Sequence, residues 1–105
     1  MKTDETLYEL YWQGEEKAAD ELVLRHGDIL TLYINGYLKD MHEAEDLMIE
    51  TFALMFARRR PVSGEGSFRA YLYRTARNLA GKTKKKHRIL HIGLETLPFE
   101  IPSGE

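Results

Sequence analysis

The residues best equipped for chemistry lie in one basic and aromatic stretch near the C-terminal third. Arg69, Tyr71, Tyr73, Arg74, Arg77 and Asn78 are followed by Lys82, Lys84, Lys85, Lys86 and Arg88. Cationic side chains pair with phosphates whatever the base sequence, and the affinity falls as salt rises. Reading a base needs more: Arg, Lys or Asn reaching base edges, or flat rings that receive an unstacked base. Both kinds of group are present. On a helix turning about 100 degrees per residue, Phe68, Leu72, Thr75, Ala76 and Leu79 face inward. Arg69, Tyr73, Arg77, Asn78 and Lys84 then have solvent directions, and Arg74, Lys82, Lys85 and Arg88 widen the basic surface. The pattern predicts contact with distorted or single-stranded nucleic acid rather than plain duplex, from one exposed side of the helix. The competing fate is structural, with Tyr71 filling the core and Tyr73 lying on it with a wet hydroxyl.

Charge is sorted along the chain. Residues 1–57 hold four Lys or Arg against 13 Asp or Glu, whereas residues 58–88 hold 11 against the single acid Glu65. The formal total of −2 is therefore a cancellation of −9 and +10, with the remainder in the last residues. A domain built this way can hold a polyanion on its basic segment while its acidic part faces a basic protein. The expected arrangement puts the two surfaces on opposite sides.

Other chemistry finds little support. There is no cysteine among the 105 residues, which removes disulfides and thiolate metal sites. His87 and His91 stand four apart with only Glu95 as a further ligand, so solvated histidines are the better reading and no metal is expected. Glu43, Glu45, Asp46 and Glu50 form a carboxylate cluster without a nucleophilic or basic partner, which suits a protein-contact face better than catalysis. Ser63-Gly64-Glu65-Gly66 is a turn, not a phosphate-binding loop. No enzyme activity and no cofactor are expected. No long apolar run follows Met1-Lys2-Thr3-Asp4-Glu5, so neither a signal peptide nor a membrane span is expected and the cytoplasm is the default location.

The elements that must carry these residues are helical. Apolar residues make up 43% of the chain and charged residues 30%, the composition of one modest folded domain. Three- and four-residue apolar spacings recur, and prolines occur only at 61, 98 and 102. The reading is all-α, a compact bundle of four to five helices. The first covers Asp4 to Gln13 and stops at Gly14. A second runs from Glu15 to Arg25 and is closed by Gly27, and a third starts near Asp28 and carries Ile29, Leu32, Tyr33 and Tyr37. The fourth carries Ala44, Leu47, Met48, Phe52, Met55 and Phe56 and ends at Arg58-Arg59-Arg60-Pro61. After a turn-rich loop, Ser67 caps the fifth, which Gly81 weakens. Residues 1–90 form the domain, and 91–105 read as a tail or the start of a linker.

These residues carry a family resemblance. Ala44-Glu45-Asp46-Leu47-Met48-Ile49-Glu50-Thr51-Phe52, then Gly66-Ser67-Phe68-Arg69-Ala70-Tyr71-Leu72-Tyr73-Arg74-Thr75-Ala76-Arg77-Asn78-Leu79-Ala80, resembles region 2 of a sigma-70 family factor of the extracytoplasmic-function group. The likeness spans roughly residues 4 to 90. It implies a transcription initiation module whose acidic helix docks on the clamp helices of the largest RNA polymerase subunit, through Glu43, Asp46, Ile49 and Glu50. It also implies that the following loop and helix recognise and melt the promoter element near the start site, flipping one base of the non-template strand into a pocket. The implied DNA contacts are Ser63 in the loop, then Arg69, Tyr73, Arg77, Asn78, Lys82, Lys84, Lys85, Lys86 and Arg88, with Tyr71 partly structural. An anti-sigma factor is an implied further partner, and a membrane is not.

The chain departs from the family pattern at several points. Ile49 stands where the family has glutamine and cannot make that polar contact. Gly81-Lys82-Thr83 replaces an acidic residue and an apolar one, so an earlier helix end is expected. Residues 89–105 have no pattern for the family's second domain, a helix-turn-helix, and resemble the beginning of an interdomain linker. Either an excised fragment or a short protein with the melting module alone fits this. The alternative function is an interaction module that does not bind DNA, a decoy for polymerase or for an anti-sigma factor.

Overall fold

The computed structural model describes residues 1–59, 61–62 and 67–96, with side chains as far as Ile92. They form an all-α bundle of four helices: α1 (Asp4–Trp12), α2 (Glu16–Leu38), α3 (Met41–Arg58) and α4 (Ser67–Thr96). Capping fixes several ends. The Thr3 side chain accepts the Thr6 N–H at 3.1 Å to start α1, and Asp40 accepts the Glu43 N–H at 3.1 Å to start α3. Gly14 takes φ +108 in the turn after α1, a conformation that most side chains resist, so it stops the helix as expected. Lys39 and Arg59 end α2 and α3 in the left-handed region without the help of glycine.

The second and third helices expected from sequence are one. α2 runs straight through Gly27, which is buried with Met48 of α3 packed over it. The residue therefore serves close packing between helices rather than termination. One continuous helix has one phase, and Leu22, Leu30, Thr31 and Ile34 set it by being buried. Ile29 and Leu32 are consequently exposed along with Leu24.

α2 packs against the other three helices, and α3 and α4 also pack on each other. The core combines Leu7, Tyr8, Leu22, Leu30, Ile34, Leu47, Phe52, Met55, Phe68 and Leu72. Burying each large side chain contributes about 1.5–3 kcal/mol. Several polar groups inside are satisfied locally: Thr31 and Thr51 hydroxyls donate to the carbonyls of Gly27 and Leu47, and Tyr8 Oη donates to the Met55 carbonyl at 2.8 Å, tying α1 to α3. Asp4 of α1 meets both Arg25 at 3.1 Å and His26 at 2.9 Å on α2.

α4 is much longer than expected. Thirty residues at about 1.5 Å each give roughly 45 Å, and the helix continues through Gly81 to Thr96. Its first half is locked by Phe68, Tyr71, Leu72, Ala76 and Ala80, all buried, whereas from Gly81 to Ile92 every described side chain but Thr83 is exposed. Gly81 borders open space and the helix runs on through it, so its weak propensity does not suffice to end the helix. Residues 97–105 lie outside the described residues.

Candidate nucleic-acid interface and acidic face

The packed half of α4 sets the geometry of the basic residues. Its start is held by α1: the Glu5 carboxylate accepts the Phe68 N–H at 2.7 Å, placing a negative charge at the positive end of the helix. Ser67 begins the helix, and Phe68 packs on Tyr8 with ring centroids 5.2 Å apart. The ring contacts of His26 with Phe68 and Tyr33 with Tyr73 show that α2 runs alongside α4 in the same direction. α3 runs the opposite way, its first turn meeting the far half of α4.

Two neighbours give the exposed arc of α4 two edges, so its basic side chains do not gather on one side. On the edge facing α3, Arg74, Asn78 and Lys82 line a cleft of about 260 Å³ together with Tyr71, Thr75 and Leu79, opposite Leu54 and Arg58. On the edge facing α2, Tyr73 packs on Tyr33, and Arg69 and Arg77 fall on the same side one turn either way. Lys84 returns to that side two turns after Arg77, whereas Lys85 returns to the cleft side. Arg88 points between them. Lys86 falls on the core line of the helix yet is exposed, because little is packed there.

The cleft is the most built feature of this surface. Tyr71 is only 7% exposed, and its hydroxyl is buried with no hydrogen-bond partner among the described residues. A buried hydroxyl without a partner costs free energy, and a ligand offering a donor or acceptor would recover it. The Arg74 guanidinium stands over the Tyr71 ring, 5.8 Å from its centroid. Arg58, Arg74 and Lys82 supply three cations to the lining of the same cleft, and Asn78 adds an amide able to read a base edge. Tyr71 is thus structural by burial and yet lines the site. Sequence reasoning gave Arg58 only a helix-end role and Arg74 only a broadening one, because their convergence depends on how α3 approaches α4. Ser63, named from the sequence, lies outside the described residues.

The acidic face is on α3. Asp46, Ile49 and Glu50 are exposed, Ile49 at 61%, while Ala44, Leu47, Thr51 and Phe52 turn into the bundle. Glu43 is half-buried and its carboxylate lies 3.0 Å from His87 Nε2 on α4. The acidic and basic surfaces are therefore adjacent, not opposite, and His87 has a carboxylate neighbour rather than a purely solvated place. Among the described residues no three His, Asp or Glu side chains converge as a metal site, and no helix is long and apolar enough to cross a membrane.

The bundle sets a long cationic helix directly beside an acidic one. Residues 22–88, more than half of the chain, match the family model of Sigma-70 region 2, and the chain belongs to that family. The family works in transcription initiation with RNA polymerase and promoter DNA, and its region 2 domains are not enzymes. No curated protein and no solved structure matches the chain.

Proposed function

We propose that this domain binds RNA polymerase through the exposed face of α3 and recognises and melts the promoter element near the start site through α4. The observation that carries the DNA half is the cleft between α3 and α4, which Arg58, Arg74, Lys82 and Asn78 line together with Tyr71. Cations along α4 draw the duplex in and neutralise phosphates, a contribution independent of sequence. Unpairing a base costs a few kcal/mol, and capture of the freed base by ring, amide and hydroxyl groups offsets it. Stacking on one aromatic ring contributes about 1–3 kcal/mol per base, the right size for that task.

The polymerase half rests on α3. Ile49 exposed among Glu45, Asp46 and Glu50 is an apolar centre with an acidic rim, a pattern suited to a basic, partly apolar helical partner. Charge on the rim sets association rate and orientation, and the apolar centre contributes contact energy.

The test is titration of a fluorescent non-template-strand oligonucleotide at two salt concentrations. Arg74→Ala combined with Asn78→Ala is expected to weaken binding about tenfold or more, the order of one lost base contact. Unchanged affinity removes the cleft from the site. A flat salt dependence in the parent chain favours the decoy reading over promoter melting.

A further inference from the structure

Two exposed apolar surfaces lie outside the cleft and the acidic face of α3. The first is the outer strip of α2, where Leu24, Ile29 and Leu32 are each more than half exposed. Asp20, Glu21 and Asp28 are exposed around them, and Arg25, the cation within this stretch, is already held by Asp4 at 3.1 Å and Glu21 at 3.3 Å. Gly36 continues the strip one turn after Leu32. It weakens the helix interior, and among the described residues nothing lies within 4 Å of where a side chain there would begin. The second surface is the projecting end of α4, where Ile89 and Leu90 are more than half exposed and Ile92 about half. From Lys82 to Leu94 this stretch holds five Lys or Arg and no Asp or Glu.

We propose that these two surfaces meet between two copies of the chain, the projecting end of α4 of one copy seating on the outer strip of α2 of the other. Each surface has an apolar centre with charges around it, the plan of a protein contact. The charges are complementary, acidic on α2 and basic on α4, which orients the pair and opposes other arrangements. Two projecting ends laid against each other would instead set five cations against five. The lengths also match: at about 1.5 Å per residue, Leu24 to Gly36 spans roughly 18 Å and Lys82 to Ile92 roughly 15 Å. A bare Gly36 lets a partner helix approach closely, a use for a residue that inside its own chain only weakens α2. A two-fold axis forms both contacts at once and closes the assembly at a dimer. The proposal does not depend on whether α4 holds nucleic acid.

Sedimentation equilibrium of the unaltered chain is expected to show monomer and dimer in exchange between about 10 μM and 1 mM. Ile29→Asn with Leu32→Asn, and separately Ile89→Asn with Leu90→Asn, are each expected to raise the dimer Kd about tenfold or more. The chain has no cysteine, so introduced ones report the pairing directly. An oxidised mixture of Leu32→Cys and Ile89→Cys chains is expected to join position 32 to position 89 in excess over 32 to 32 and 89 to 89. An unaltered chain that stays monomeric throughout overturns the proposal, and its cosedimentation with phosphatidylserine vesicles would give the projecting end to a lipid surface instead. Disulfides that favour like positions, or a Kd that neither asparagine pair changes, overturn it as well.

Discussion

The two halves of α4 are both cationic and stand in different surroundings. From Ser67 to Ala80 the helix is pinned by Phe68, Leu72, Ala76 and Ala80, and its Arg74, Arg77 and Asn78 each have defined neighbours on α2 or α3. From Gly81 onward, Lys84, Lys85, Lys86 and Arg88 are exposed on a helix with little packed against it. A charge held in place can discriminate between ligands, whereas a charge on a free helix adds mainly affinity that salt removes. The difference teaches that the basic stretch is not one device. Under the proposed function, the first half would read bases and the second would attract phosphates.

The largest expected effect breaks the packed half. Phe68→Ala leaves a cavity under the start of α4 and is expected to cost about 3–5 kcal/mol of stability, measured by urea denaturation. The projecting half should survive mutation without loss of fold. Replacing Lys84, Lys85 and Lys86 by alanine is expected to leave stability within about 0.5 kcal/mol. It should flatten the log-affinity against log-salt slope for single-stranded DNA by about 2. A loss of stability comparable with that of Phe68→Ala would erase the distinction between the halves. Gly81→Ala, at the junction where no neighbour obstructs a side chain, is expected to stabilise the helix by about 0.5–1 kcal/mol in the same denaturation assay.

The smallest expected effect is one of pH, and it concerns the α2 edge. The Tyr33 hydroxyl is held above its ordinary pKa of 10.0, first by the bond to Tyr37 and then by burial, with Arg77 opposing. A raised folded-state value means the contribution is complete below about pH 10 and fades as pH climbs through the folded value. Tyr33→Phe should therefore reduce the loss of stability seen between neutral and strongly alkaline pH, and no difference from the parent would remove this coupling.

How much was legible beforehand follows the same divide between local and tertiary causes. α3 was readable because Ala44, Leu47, Met48, Phe52 and Met55 keep helical spacing, and all but the half-buried Met48 are fully buried. The inward stripe of α4 was readable for the same reason. Gly27 misled because glycine signals a helix end from sequence, and only the approach of Met48 reveals its packing use. The cleft escaped because Arg58 and Tyr71 lie on different helices and meet only when α3 and α4 pack antiparallel. The acidic and basic surfaces were each visible as charge runs, but their adjacency, bridged by Glu43 and His87, is a property of the bundle.

The central claim is a division of labour between neighbouring helices, and charge reversal on one of them addresses it most directly. Asp46→Lys combined with Glu50→Lys should be compared with the parent in RNA polymerase pull-down and in single-stranded DNA titration. The account predicts a marked loss of polymerase retention with DNA affinity equal to or above that of the parent. Equal loss of both activities would contradict it.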